Sequence, residues 1–202
     1  MKPCPSGSHR RSLAGPVRLW DRQRQFQITF LKAHGLKPHH VLLDFGCGPL
    51  RGGIPIIKYL NAGNYHGIDA NREALDEAEK EVKENELEHK HPTLIHSKNL
   101  GTLNLHTSFD FIWAFSVAIH MPDDVLGAFL AFSSNHLKRS GVLYTNVNIG
   151  ERRTGGRFQN FYTYVRPFKF YRDMALKYNL KIVGSEKAQN QAMLCLRRCI
   201  NE

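Results

Sequence analysis

No apolar run in this sequence approaches the roughly 20 residues that a membrane-spanning helix needs, so no membrane partner is expected. Cysteine is scarce. The four present, at positions 4, 47, 195 and 199, show no CxxC spacing and no paired framework. That excludes a disulfide scaffold and suits free thiols in a reducing, cytoplasmic setting. Acids are few beside bases, 18 against 28, for a net charge of +10. The positive residues are scattered, with local concentrations in "RRSLAGPVRLWDRQR" and "ERRTGGR". Such a balance attracts anionic partners, nucleic acid among them, or serves solubility alone. Histidine is plentiful, yet neither His39-His40 nor His89-Lys90-His91 comes with Cys or acid partners at ligand spacing, so no metal site is expected. There is no internal repeat. Residues 1–18 hold no apolar stretch long enough for a secretory signal, are rich in Arg and Ser, and read as a disordered terminus, with a transit peptide as the alternative.

What is present is an alternation of two patterns. Leu19, Phe26, Phe30 and Leu31 fall at helical intervals over residues 19–34, ending at Gly35 with Pro38 beyond. "HVLLDF" is a short, continuously apolar run, as in a strand buried on both faces. "IPIIKYL" follows as a helix with Pro55 in its first turn. "NYHGIDA" reads as a second strand, residues 71–89 as a solvated helix with one apolar stripe, "TLIHSKN" as a third strand and "FDFIWAFSV" as a fourth. A helix over 123–137, a fifth strand "GVLYTNVN", a basic loop over 148–164 and a helix over 167–178 come next. "LKIVGSEK" and "QAMLCLRR" close the chain as two strands with about three residues between them, too short a link for a crossover. The pattern implies an α/β domain over residues 19–202, mostly parallel, with an antiparallel last strand.

In such a sheet ligands bind beyond the carboxyl ends of the central strands. Asp44-Phe45-Gly46-Cys47-Gly48 lies at one such end. Its two glycines let the chain bend and a ligand approach without a Cβ in the way. Asp69 ends the next strand, placed to accept hydrogen bonds from both hydroxyls of a ribose. A dinucleotide fingerprint would put a third glycine where Arg51 stands. A carboxylate at Asp44 is a poor neighbour for a pyrophosphate and a useful one for an ammonium or sulfonium. NAD therefore fits less well than a cationic nucleoside.

These residues resemble the motifs of the class I S-adenosylmethionine-dependent methyltransferases. "LLDFGCGPLRGG" is similar to their first motif, "YHGIDANREALDEA" to their second and "FDFIWAFSVAIHM" to their fourth-strand motif. The resemblance covers about residues 36–198, and "GCGPLRGG" is similar to an uncharacterised subset of the family. It implies a doubly wound, seven-stranded sheet with an antiparallel last strand and helices on both faces, and S-adenosyl-L-methionine as cofactor. By resemblance, the Gly46–Cys47–Gly48 turn packs on the methionine portion with Asp44 near its amino group. Asp69 holds the ribose, Ala70 and Asn71 flank the adenine, and Asn99 and Leu100 border it. Ser116 and Val117 line the methionine side. Where the family often has an acid for the adenine amine, this chain offers Asn99, whose carbonyl can accept the same bond. Arg51 is a candidate for the cofactor carboxylate, set against pairing with a neighbouring acid; Arg24, in the helix expected to lid the cofactor, is a second candidate.

The sulfonium already activates the methyl group, so the protein has to align donor and acceptor and exclude water. An amine or hydroxyl must also shed a proton, and His120, four residues after Ser116, is the candidate base, with positioning or structural roles as alternatives. The fourth strand carries neither an Asn/Asp-Pro-Pro-aromatic run nor a Pro-Cys pair, and Cys47 reads as packing rather than nucleophile. Arg152, Arg153 and Arg157 in the basic loop would attract an anionic acceptor. The expectation is methyl transfer to an O or N atom of a small molecule. The alternatives are a protein or RNA methyltransferase and a non-catalytic ligand- or RNA-binding module.

Overall fold

The computed structural model describes residues 5–158 and 161–199. The chain forms two compact units, Met1–Lys98 and Asn99–Glu202. The protein is α/β, with helices alternating with mostly parallel strands and antiparallel strands at its end.

In the first unit, α1 (Pro5–Ser12) and α2 (Trp20–Ala33) precede β1 (Leu42–Phe45), α3 (Gly53–Tyr59), β2 (Tyr65–Asp69), α4 (Arg72–Glu84) and β3 (Thr93–His96). The three strands are parallel in the order β3-β2-β1, with Asp44 opposite Gly67 and Asp69 opposite His96. All four residues of β1 are buried, which explains its unbroken apolar run and leaves Asp44 as the buried exception. Asn71 caps α4, its side chain accepting from the Glu73 N–H at 3.0 Å, and Ala74, Leu75, Ala78 and Val82 form the buried stripe.

Part of the segment expected to be disordered is instead helical. Arg10 on α1 is buried and donates to Glu77 through Nε at 2.8 Å, to Glu81 through Nη1 at 2.9 Å and to Glu84 through Nη1 and Nη2 at 2.6 and 2.9 Å. Those acids recur at positions 77, 81 and 84 of α4, one face of a helix, and looked in the sequence like a solvated charge stripe. An arginine 67 residues away makes them a socket.

The second unit runs β4 (Phe109–Ala114), a short 3-10 turn at Ala118–His120, α5 (Asp123–His136), β5 (Leu137–Ile149), β6 (Arg153–Phe158), β7 (Phe161–Arg166), α6 (Phe168–Lys177), β8 (Leu180–Ala188) and β9 (Gln191–Arg198). β4 and β5 are parallel. β9 runs antiparallel to β5, with Leu143 opposite Leu196, and β8 and β9 form the expected terminal hairpin.

The basic loop is also structured. β6 and β7 pair antiparallel, and β7 joins the end of β5 in parallel, with Asn148 opposite Val165. Arginine and glycine disguised the strand, but "FYTYVR" has the aromatic and β-branched content of one. With β1 to β5, β8 and β9 as the seven expected strands, this hairpin is an addition. No helix among the described residues is long and apolar enough to cross a membrane.

Candidate active site

The turn after β1 is tied to the end of β2. The Gly46 and Cys47 N–H groups both donate to the Ile68 carbonyl, at 2.8 and 3.0 Å, and the Gly48 N–H donates to Asp69 Oδ2 at 2.8 Å. Gly46 and Gly48 have φ of +72° and +53°, and open space lies where a Cβ on Gly48 would point. The turn thus offers a cradle that a side chain would both strain and fill.

Asp69 Oδ1 accepts from the Asn71 N–H at 2.8 Å, so each carboxylate oxygen is oriented by one backbone donor and keeps lone pairs for others. Burial pushes its pKa up against the pull of those N–H groups. His96, opposite Asp69, donates through Nε2 to the Ala70 carbonyl at 3.1 Å and steadies the exposed Ala70–Asn71 corner. Cys47 is buried with its Sγ against Gly67, where a Cβ would lie 2.9 Å from the sulfur. Burial first, then Asp44 and Asp69, push its thiol pKa up, the opposite of what a nucleophile needs.

Asp44 is the electrostatic centre of this unit. It is 4% exposed and its Oδ2 accepts from the Tyr65 hydroxyl at 2.7 Å. Burial raises its pKa to about 7, Tyr65 opposes the rise, and the nearby Asp69 adds to it. Arg51 is also buried and donates through Nη1 to the Ala14 carbonyl. Its Nε has no hydrogen-bond partner among the described residues, and burial lowers its pKa to about 10 while Asp44 holds it up. Arg24 donates to the Arg51 carbonyl at 3.0 Å and pairs with Glu81 at 3.4 Å, a structural use of the side chain considered for the cofactor.

In the second unit, the Asn99 side-chain carbonyl accepts from the Gly101 N–H at 2.9 Å, and Leu100 beside it is half-buried. Ser116 follows β4 with φ of +63°, a conformation costing a residue other than glycine on the order of 1 kcal/mol. Its N–H donates to Oδ1 of Asn146 at 2.6 Å, and Asn146, fully buried on β5, in turn donates to Gln191. Val117 starts the 3-10 turn that ends at His120. Nδ1 of His120 lies 3.0 Å from the Tyr162 carbonyl on β7. A carbonyl only accepts, so Nδ1 carries the proton and Nε2 is the basic nitrogen of the neutral ring. Four residues further along β7, Arg166 donates through Nη2 to the Met121 carbonyl at 2.6 Å and through Nε to Asp123 at 2.9 Å. β7 therefore fixes His120, Met121 and Asp123. Tyr65, Asn146 and Arg166 were not singled out from the sequence. A buried tyrosine, asparagine or arginine has no periodic signature there. No cluster of three His, Cys, Asp or Glu side chains suited to a metal occurs among the described residues.

Comparisons with known proteins bear on the family and the fold. A family model described as "Methyltransferase domain" matches residues 43–143, half of the chain, and the chain belongs to that family. No curated protein matches the sequence. Among solved structures, the chain is similar to magnesium protoporphyrin IX methyltransferase from Synechocystis PCC 6803 with bound SAM, at 18% identity over 96% of this chain and 92% of that one, TM-score 0.69. It is similar to an S-adenosylmethionine-dependent methyltransferase from Clostridium acetobutylicum ATCC 824, at 16% identity over 96% and 97%, TM-score 0.68. The glycopeptide N-methyltransferase MtfA matches at 10% identity over 87% and 90%, TM-score 0.67. These likenesses show that the fold is that of the class I methyltransferases.

Proposed function

We propose that the protein is an enzyme that uses S-adenosyl-L-methionine to methylate an O or N atom of a small molecule. The observation that carries this reading is the clasp between the two motifs, in which the Gly48 N–H and the Asn71 N–H orient the two oxygens of Asp69 at the end of β2. The residues fit the cofactor. The Gly46–Gly48 cradle is open, Asp69 can accept from both ribose hydroxyls, and Asp44 offers a carboxylate to the methionine amino group. The orphaned Nε of Arg51 suits the methionine carboxylate. On the resemblance alone, Ala70, Asn71, Asn99 and Leu100 are assigned to the adenine and Ser116 and Val117 to the methionine side. The bound cofactor would supply a methyl group activated by its sulfonium.

The chain's own part is then alignment and proton transfer. His120 Nε2, the nitrogen left without a proton when Nδ1–H donates to the Tyr162 carbonyl, would take the proton that an amine or hydroxyl loses on methylation. The magnesium protoporphyrin IX and glycopeptide enzymes act on a porphyrin and on glycopeptide nitrogen by their names, and a small acceptor here is consistent with that range. Free thiols at Cys47, Cys195 and Cys199 suit a reducing cytoplasm. The test is calorimetry with S-adenosylmethionine and its demethylated product, followed by incubation of labelled cofactor with a metabolite extract. Micromolar binding and a labelled small product are expected. Failure of both nucleosides to bind, with Asp69→Ala indistinguishable from wild type, would remove the enzyme reading.

A further inference from the structure

Between the start of α5 and the β6–β7 hairpin lies a cleft of about 440 Å³, lined by Pro122, Asp123, Arg152, Arg153, Thr154 and the β7 residues Tyr164, Val165 and Arg166. Its charges do not balance. Three arginines line it against a single carboxylate, and that carboxylate, Asp123, is already held by Arg152 and Arg166. Arg153 is exposed and left with no acid among the lining residues. Arg166 is 1% exposed, and its Nη1 is buried without a hydrogen-bond acceptor among the described residues. A buried donor of that kind costs about 1–3 kcal/mol, a cost that an incoming oxyanion would offset.

Two of the three guanidinium groups, those of Arg152 and Arg166, are held in place before any ligand arrives. Arg166 lies over Tyr164, 4.7 Å from the ring centre, and over Phe170 at 5.2 Å, while Arg152 lies over the same Phe170 at 5.0 Å. Stacked arginines lose little freedom on binding, and their planar forks match carboxylate and phosphate geometry. Thr154 and Tyr164, both hydroxyl-bearing residues, line the same cleft. The cleft adjoins the candidate base in the chain, since Arg166 grips the carbonyl of Met121, the residue after His120.

We propose that this cleft is an oxyanion subsite that holds a carboxylate or phosphate group of the methyl acceptor, with Arg153 and Arg166 as its principal ligands. The assignment to an acceptor rests on the methyltransferase reading above. The acceptor is accordingly a small anionic molecule whose nucleophilic O or N lies at His120 and whose oxyanion lies at the hairpin. Arg152 and Asp123 frame the site, and the one acid keeps Arg166 from being a bare buried charge before the acceptor binds.

The test needs no known substrate. Wild-type protein is titrated by calorimetry and by NMR of the arginine side chains with inorganic phosphate and, separately, with benzoate, at fixed ionic strength. At least one should bind saturably, and which one does tells phosphate from carboxylate. Arg153→Gln and Arg166→Lys should each weaken it about tenfold. Arg197→Gln, on β9, should leave it unchanged. Because Arg153 is exposed, its variant keeps the test decisive even if Arg166→Lys folds poorly. If neither anion saturates the protein, or if both arginine variants bind as wild type does, the subsite is overturned. A parallel titration with S-adenosylmethionine separates the two readings. Anion binding that depends on Arg153 in a protein with no nucleoside affinity upholds the subsite and overturns its assignment to a methyl acceptor.

Discussion

The hydroxyl of Tyr65 reaches Asp44 through the space that Gly53 leaves empty. It donates to Oδ2 at 2.7 Å, and a Cβ on Gly53 would stand 2.5 Å from it. The second glycine of "RGG", which reads in the sequence as part of a ligand loop, thus serves the packing beneath the loop.

That geometry couples two distant positions. Gly53→Ala must push Tyr65 or Leu50 aside, at a cost of roughly 1–3 kcal/mol in urea denaturation. Tyr65→Phe removes a donor from a buried acceptor and costs a similar amount, about 1–3 kcal/mol. Removing the hydroxyl also removes much of the clash, so the double variant should be more stable than the sum predicts, by at least about 0.5 kcal/mol. Strict additivity would show that the contact is not the reason for the glycine.

The pH dependence follows from Asp44. Its pKa in the folded protein, about 7, lies above the ordinary carboxylate value because burial disfavours the charge. Between those two values the folded state binds more protons than the unfolded one, so this group's contribution to stability falls as pH rises from about 4 to about 7, by on the order of a few kcal/mol. Asp44→Asn should flatten that part of the profile in thermal melts from pH 5 to 8. In the wild-type protein, an ammonium ligand favours the carboxylate, so binding of S-adenosylmethionine should release protons and tighten from pH 6 to above 7. Calorimetry in buffers of different ionisation enthalpy measures that release. Net proton uptake would place the amino group elsewhere.

Much of this was legible in the sequence, for identifiable reasons. β1 could be read because parallel strands buried on both faces are continuously apolar, and the Gly46–Gly48 turn because backbone with positive φ favours glycine. The place of Asp69 at the end of β2 was legible from its distance along the chain from that turn. The β6–β7 hairpin was not found. Its β6 strand is "RTGGRF", and glycine is favoured at 155 because a Cβ there would lie 2.4 Å from Oγ1 of Thr163 on β7. Docking of α1 was hidden as well, because the three glutamates that receive Arg10 lie on a helix that would be sound without it. In both cases the determinant is a contact between distant residues, which local periodicity does not encode.

The α1 dock gives a prediction of its own. Hydrogen bonds from Lys80 and Arg10 hold Glu77 below the usual carboxylate range, and Arg10 does the same for Glu84. Carboxylates with lowered pKa contribute stability above their unfolded values and lose it as pH falls through the folded ones. α1 should therefore stay docked at neutral pH and release in acid below about pH 4. Arg10→Gln should release it at pH 7, read as faster tryptic cleavage at Arg11 and Arg18. Equal cleavage rates for variant and wild type at pH 7 would count against the dock.

The two carboxylates of the site should divide the cofactor between them. Asp69→Asn replaces one oxygen by an amide that cannot accept from both Gly48 and Asn71, and should weaken adenosine and S-adenosylmethionine alike, by about tenfold or more. Asp44→Asn should weaken S-adenosylmethionine and leave adenosine, which has no amino-acid end, within about twofold of wild type. Loss of adenosine in the Asp44 variant would mean that the assignment of ribose and methionine ends is wrong.

His120 is the residue whose substitution should separate chemistry from binding. Glutamine can still donate to the Tyr162 carbonyl, as Nδ1 does at 3.0 Å, but it cannot take up a proton at neutral pH. With the acceptor identified by labelling, His120→Gln should lower kcat by about 10²–10⁴-fold while S-adenosylmethionine affinity stays unchanged. Substrate positioning would instead raise KM with kcat preserved. A kcat within threefold of wild type, whatever KM does, would take His120 out of the proton transfer and leave the acceptor to lose its proton to water.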